Sequence, residues 1–434
     1  MSELFRLGVV EAAARLRDGR MTASEYAEAL LARVALTDGD VSAWATLDPE
    51  YIHSETAVRD VIPAPARRAL HGIPVGLKDI IHTVDLPTRF GSRAFDGFRA
   101  PADAECVTGL RAAGAYAFGK TVTTELAFMH PGPTRNPWNP KHTPGGSSQG
   151  SAAAVAIGQV PVALGTQTNG SVIRPAAYCG VVGFKPTLNA IDFRGVNVFS
   201  DTLDTLGTFT RSVADAALVA AALSGPNAIS SAVAMRGSPP RLGYLSDFPW
   251  TTLDCDADDT LDAAATKLRI AGATIMPTSL PAALAESAAV HRTIMLHEAA
   301  QNLADLQDRA RERLSATLNA ALDEGRAIGR SAYFKALDAR RAIVASATEW
   351  LRHYDALIAP PAPAGAPEGL DTTGDPSCCT FASLLGAPAI TLPIGLDARR
   401  LPLGMQLFTL PGGDDRLLSV AAWCEARLPF SGLV

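Results

Sequence analysis

Three short segments hold residues able to do chemistry together. Lys78 lies within Ile73-Pro-Val-Gly-Leu-Lys-Asp-Ile-Ile81, a run that is apolar on both sides of it. Burial disfavours an ammonium, so this lysine is expected to titrate well below the usual value of about 10.4. A lysine brought towards neutrality can act as a base. Pairing with Asp79, or a head group reaching water at a strand end, fits the same residues.

The second segment is Thr143-Pro-Gly-Gly-Ser-Ser-Gln-Gly-Ser-Ala-Ala-Ala-Val155. Pro and Gly shape a loop, and Ser147, Ser148 and Ser151 supply hydroxyls. The alanines then open a small-residue helix, whose first N–H groups favour negative charge. The third is Leu164-Gly-Thr-Gln-Thr-Asn-Gly-Ser-Val-Ile-Arg-Pro175. Asn169 and Gly170 tolerate a tight turn just before Ser171, where successive N–H groups can converge on one point. Such convergence suits an oxyanion hole, and an ordinary Asn-Gly hairpin fits the same residues. Together the segments supply what a hydroxyl nucleophile needs: a base (Lys78), a relay (Ser147) and a donor array before Ser171.

The elements that must position these segments read as alternating helices and strands. Thr22 and Glu25 match a capping box ahead of Tyr26, Leu30 and Val34, which share a helix face. Residues 41–47 read as a strand. Residues 106–113, Gly114 and 115–118 form a helix, a glycine stop and a strand. Residues 261–271, Gly272 and 273–276 repeat that order. Residues 283–354 read as charged helices, with Glu298, Arg309, Arg311, Arg340 and Arg341 expected on a solvated layer. Residues 387–393 and 403–408 read as buried strands. The expected fold is one large α/β domain over 1–434, its central mixed and mostly parallel sheet flanked by helices on both faces.

Composition narrows the function. The chain has 434 residues, 47% hydrophobic and 19% charged, with a net charge of -6. No basic stripe suits nucleic acid. No apolar run is long enough for a bilayer, and the N-terminus lacks a leader pattern, so a cytoplasmic protein is expected. Six scattered cysteines show no CxxC pair or zinc spacing, so free thiols and no metal or cofactor are expected.

Taken together, the segments resemble the amidase signature family. Its Gly-Gly-Ser-Ser loop reads here as Gly145 to Ser148, and its Gly-Gly-Ser turn as Asn169-Gly-Ser171. Pro175-Ala-Ala-Tyr-Cys-Gly180, Lys185-Pro-Thr187 and Gly72 to Asp79 also match. So do Leu385-Gly-Ala-Pro388 and Leu401 to Gln406. The resemblance covers most of the chain and is weakest between about 225 and 350. It implies a Ser–cis-Ser–Lys triad of Ser171, Ser147 and Lys78. It also implies an oxyanion hole from the backbone of Thr168, Asn169, Gly170 and Ser171, with support from Ser148 and Thr166. Gly146, Leu126, Cys378 and Phe381 are expected at the substrate pocket, shaped in part by residues 374–385. The implied reaction is hydrolysis of a small-molecule amide, with a homodimer as a family-level expectation.

This chain departs from the family where Asp-Thr-Gly-Gly-Ser becomes Gln167-Thr-Asn-Gly-Ser171, and where Arg174 stands one place later than usual. Neutral packing is expected to replace a charge pair there. Two rivals fit part of the pattern. One is a glutaminase subunit of an amidotransferase. The other is a nucleophile elbow, Gly146-Ser-Ser-Gln-Gly150, with Ser148 as nucleophile and His291, His297 or His353 as base.

Overall fold

The computed structural model describes residues 3–434 apart from 226–228, 232, 234–236 and 247. Its strands are β1 (Trp44–Leu47), β2 (Pro74–Lys78), β3 (Tyr116–Thr121), β4 (Val162–Gln167), β5 (Val182–Lys185) and β6 (Thr205–Thr210). Then come β7 (Arg241–Tyr244), β8 (Thr274–Pro277), β9 (Ala356–Ala359), β10 (Ala389–Leu396) and β11 (Pro402–Phe408). They form one sheet in the order β1-β3-β2-β4-β6-β5-β10-β11-β9-β7-β8. The sheet is mixed. Parallel pairings form two blocks, β3-β2-β4 and β9-β7-β8. Antiparallel pairings join the blocks through β6, β5, β10 and β11 and add β1 at one edge.

Both faces are covered, as the period of two along a strand requires. In β9, Ala356 and Ile358 join one core with Leu261, Leu268 and Leu417. Their neighbours Leu357 and Ala359 join another with Ile294, Ile343 and Phe381. Helices Cys255–Ile270 and Asp414–Glu425 therefore pack on one face. Helices Ser287–Asn302, Arg330–Leu351 and Thr380–Leu385 pack on the other.

Local signals account for most of these elements. Thr22 and Glu25 complete the capping box of helix Ala23–Val41. That helix runs on through Val41, and the left-handed Ser42 (φ 56°) stops it, so the strand begins only at Trp44. The carboxylate of Asp38 accepts the N–H of Ala43 and secures the turn. Glycines 114 and 272 (φ 94° and 104°) end their helices and launch β3 and β8. The charged stretch is helical, but Glu298 is not solvated. It is buried and accepts hydrogen bonds from Ser200, Thr202 and Tyr333. Arg340 is half-buried and donates to the carbonyl of Leu384.

Candidate active site

Lys78 is the last residue of β2, a central strand flanked on both sides, so its side chain is wholly buried. Its Nζ donates to Ser147 Oγ at 2.6 Å and to Thr166 Oγ1 at 2.9 Å. Burial lowers its pKa from 10.5 to about 7, with Asp204 pulling the other way. Thr166 stands in β4 beside β2, so the sheet register holds its hydroxyl against the lysine.

Ser147 follows a cis Gly146–Ser147 peptide. Its carbonyl accepts the N–H of Thr124 at 3.1 Å, and the carbonyl of Gly146 accepts from Arg174 at 2.7 Å. Arg174 also donates to the carbonyl of Gly374. The next residue, Ser148, is buried, and its hydroxyl meets the backbone of Thr166 at 3.4 Å. A Cβ on Gly165 would come within 2.5 Å of that hydroxyl, so only glycine lets the loop lie so close to β4. Ser148 thus faces backbone, with no histidine among its hydrogen-bond partners in the described residues. This arrangement does not suit a nucleophile elbow.

The turn after β4 carries Ser171. Gln167 secures its base: Oε1 accepts the N–H groups of Val172 and Ile173 at 2.8 and 3.0 Å, and Nε2 donates to Ser383. These are the first N–H groups of helix Ile173–Cys179, left without a helical acceptor. The expected neutral packing holds for Gln167 only. Arg174 remains a buried cation: Nη2 donates to the Gly146 carbonyl and the Thr373 hydroxyl, and Nη1 to the Gly374 carbonyl, while the buried Nε has no partner among the described residues. Ser383 also donates to the carbonyl of Asn169, and Thr380 to its side chain. Among the described residues, the N–H groups of Asn169, Gly170 and Ser171 donate to no protein acceptor.

Thr168 to Ser171 line a cavity of about 250 Å³ with Ala127, Phe128, Met129, Phe199, Met295 and Pro376. Arg174 and Arg292 complete it. Lys78, Ser147 and Thr166 are joined by hydrogen bonds. Ser171 faces the cavity instead and has no hydrogen bond to Ser147 among the described residues. None of the four residues expected at the pocket is among those lining this cavity. Cys378 and Phe381 are fully buried in the core between sheet and helices, and Leu126 in the other main core. Gly146 is closed in, since a Cβ there would meet Thr373 at 2.8 Å. Of residues 374–385, only Pro376 reaches the cavity. Thr380 and Ser383 brace the turn from behind.

Three buried polar residues that no motif marks hold the cavity walls together. Asp204 accepts from the Thr168 hydroxyl with one oxygen and from the N–H groups of Phe199 and Ser200 with the other. Burial raises its pKa to about 6. His291 Nε2 meets the carbonyl of Thr168 at 3.0 Å, and burial lowers its pKa to about 4. Glu298, on the same helix, ties that helix to Ser200 and Thr202. Among the described residues there is no cluster fit for a metal ion, and all six cysteines are free. No helix of the described residues is long and apolar enough to cross a membrane.

The family model described as Amidase matches residues 25–418. A glutamyl-tRNA(Gln) amidotransferase subunit of Anaeromyxobacter sp. (strain K) is 34% identical, covering 98% of this chain and 97% of that protein. A crystal structure of an amidase matches with a TM-score of 0.89 at 31% identity, covering 98% of this chain and 100% of the other. The native peptide amidase of Stenotrophomonas maltophilia matches with a TM-score of 0.84 at 31% identity, covering 98% and 97% of the two chains. With a family match over most of its length, and a relative 34% identical along nearly all of it, the chain belongs to the amidase signature family.

Proposed function

We propose that the protein hydrolyses a carboxylic amide through a covalent acyl-Ser171 intermediate. The observation that carries this reading is the buried Lys78, its Nζ 2.6 Å from Ser147 Oγ at the end of a central strand. Near pH 7 about half of such lysines are neutral, against about one in three thousand at the ordinary pKa. Ser147 passes the Ser171 proton to Lys78 as Ser171 Oγ attacks the amide carbonyl. The N–H groups of the 168–171 turn receive the oxyanion. The C–N bond then breaks, the leaving nitrogen takes the proton back through Ser147, and water releases the acid by the same route. Thr166 and Ser148 position the lysine and the loop.

Amide turnover by the purified chain, with formation of an acylated Ser171 detected by peptide mass spectrometry, is the test. Ser171→Ala should lower kcat by about a thousandfold or more while keeping the fold. Wild-type protein that cleaves no amide would sink the proposal.

A second reading has its own support. The relative that is 34% identical is a component of an amidotransferase. The first half-reaction is then the same, with glutamine as the amide. Glutamine turnover that appears only when other components of such a complex are added would favour it over a free-standing amidase.

A further inference from the structure

The cavity beside Ser171 has a chemical character that narrows the substrate. Phe128 stands half-buried at one wall, stacked on the fully buried Phe199 with centroids 5.3 Å apart and planes 14° from parallel. Ala127, Met129, Met295 and Pro376 extend the apolar surface. Asp204 fixes this wall relative to the reacting centre, since one carboxylate holds both Phe199 and Thr168. Glu298 and His291 bind the helix that carries Met295 to the same two segments. The cavity is therefore preformed. At about 250 Å³ it is at or below the small end of ligand sites.

The arginines offer little free hydrogen-bonding capacity. The terminal nitrogens of Arg174 donate to the carbonyls of Gly146 and Gly374 and to the Thr373 hydroxyl, which leaves its buried Nε without a partner among the described residues. Arg292 stands at the mouth, bound at both Nε and Nη2 by the carboxylate of Glu324 at 3.0 and 2.6 Å. Among the described residues, no acidic side chain lines the cavity. An α-ammonium entering it would meet no opposite charge and would lose its water. A flat apolar group would instead gain contact with the Phe128 ring, which Phe199 backs, and with the Met295 thioether.

We infer that the amide carries one neutral aromatic group, seated on Phe128 with Phe199 backing that ring, and that free amino acids with a side-chain amide, such as glutamine, are poor substrates. This inference rests on the amidase reading above and adds the substrate class.

Steady-state kinetics of the full chain with phenylacetamide, propionamide and glutamine test it. Phenylacetamide should exceed propionamide in kcat/KM by about tenfold or more, with glutamine lowest. Phe128→Ala should shrink the aromatic-to-aliphatic ratio by about tenfold, and Phe128→Leu should shrink it in the same direction if the alanine variant does not fold. Equal kcat/KM for the two amides, a ratio unmoved in the folded variant, or a preference for glutamine would each overturn the inference while leaving an amidase. Cleavage of no amide at all would overturn both readings together.

Discussion

Replacing Lys78 with methionine should make the protein inactive and, near neutral pH, more stable. The folded state keeps this side chain fully buried, with its pKa lowered from 10.5 to about 7. The unfolded chain holds the same proton up to about 10.4. Between those values the unfolded state binds more protons, so wild-type stability rises with pH. At about 1.4 kcal/mol per unit, burying Lys78 costs the fold about 4 kcal/mol at pH 7 and about 2 kcal/mol at pH 9. Methionine has a similar straight chain and removes that cost. It also removes the hydrogen bonds to Ser147 and Thr166, worth about 1 kcal/mol each, more if the hydroxyls are left unpaired. The net gain is then about 1–2 kcal/mol at pH 7, and it disappears by pH 9. Thermal melting of both proteins at pH 6, 7 and 9 reads this directly. The variant should melt higher at pH 6 and 7 and close to wild type at pH 9. A variant destabilised equally at every pH would refute a lysine held near neutrality, and with it the base assigned to the reaction.

Two further outcomes follow from residues around the turn. Asp204→Asn can keep accepting from Phe199 and Ser200 through its amide oxygen, with its NH2 donating to a reversed Thr168 hydroxyl, while removing the charge that raises the Lys78 pKa. The acid limb of the pH profile of kcat/KM, set by neutral Lys78, should therefore move to lower pH; a limb that stays or moves up would show that the base lies elsewhere. Gln167→Asp loses the donor to Ser383 and places a carboxylate in a buried site where Arg174 is engaged elsewhere. It should lower stability by about 2 kcal/mol, read as a fall in melting temperature, and unchanged melting would exclude that role for Gln167.

What can be read along the chain is what short stretches decide. The capping box at Thr22 and the glycine stops at 114 and 272 depend on backbone preferences over a few residues, whereas neither Asn169 nor Gly170 takes the positive φ that its residue type allows. The apolar flanks of Lys78 announce its burial for the same reason. Short-range signals also mislead, as at Val41, where a β-branched residue is absorbed into the preceding helix. Charge misleads at Glu298, because hydroxyls about a hundred residues earlier in the chain satisfy its carboxylate. The polar anchors of the cavity, Asp204, His291 and Glu298, lie outside every motif, and their partners are distant in sequence. The pocket lining is unreadable for a related reason: Cys378 and Phe381 belong to the segment whose Thr380 and Ser383 brace the turn, but their own side chains join the core. Which groups can react is legible one segment at a time, because their chemistry and local backbone are written in adjacent residues. What surrounds them is settled by the assembled fold, because strand order and helix placement bring together Phe128, Phe199, Met295 and Ser171 from four separate parts of the chain.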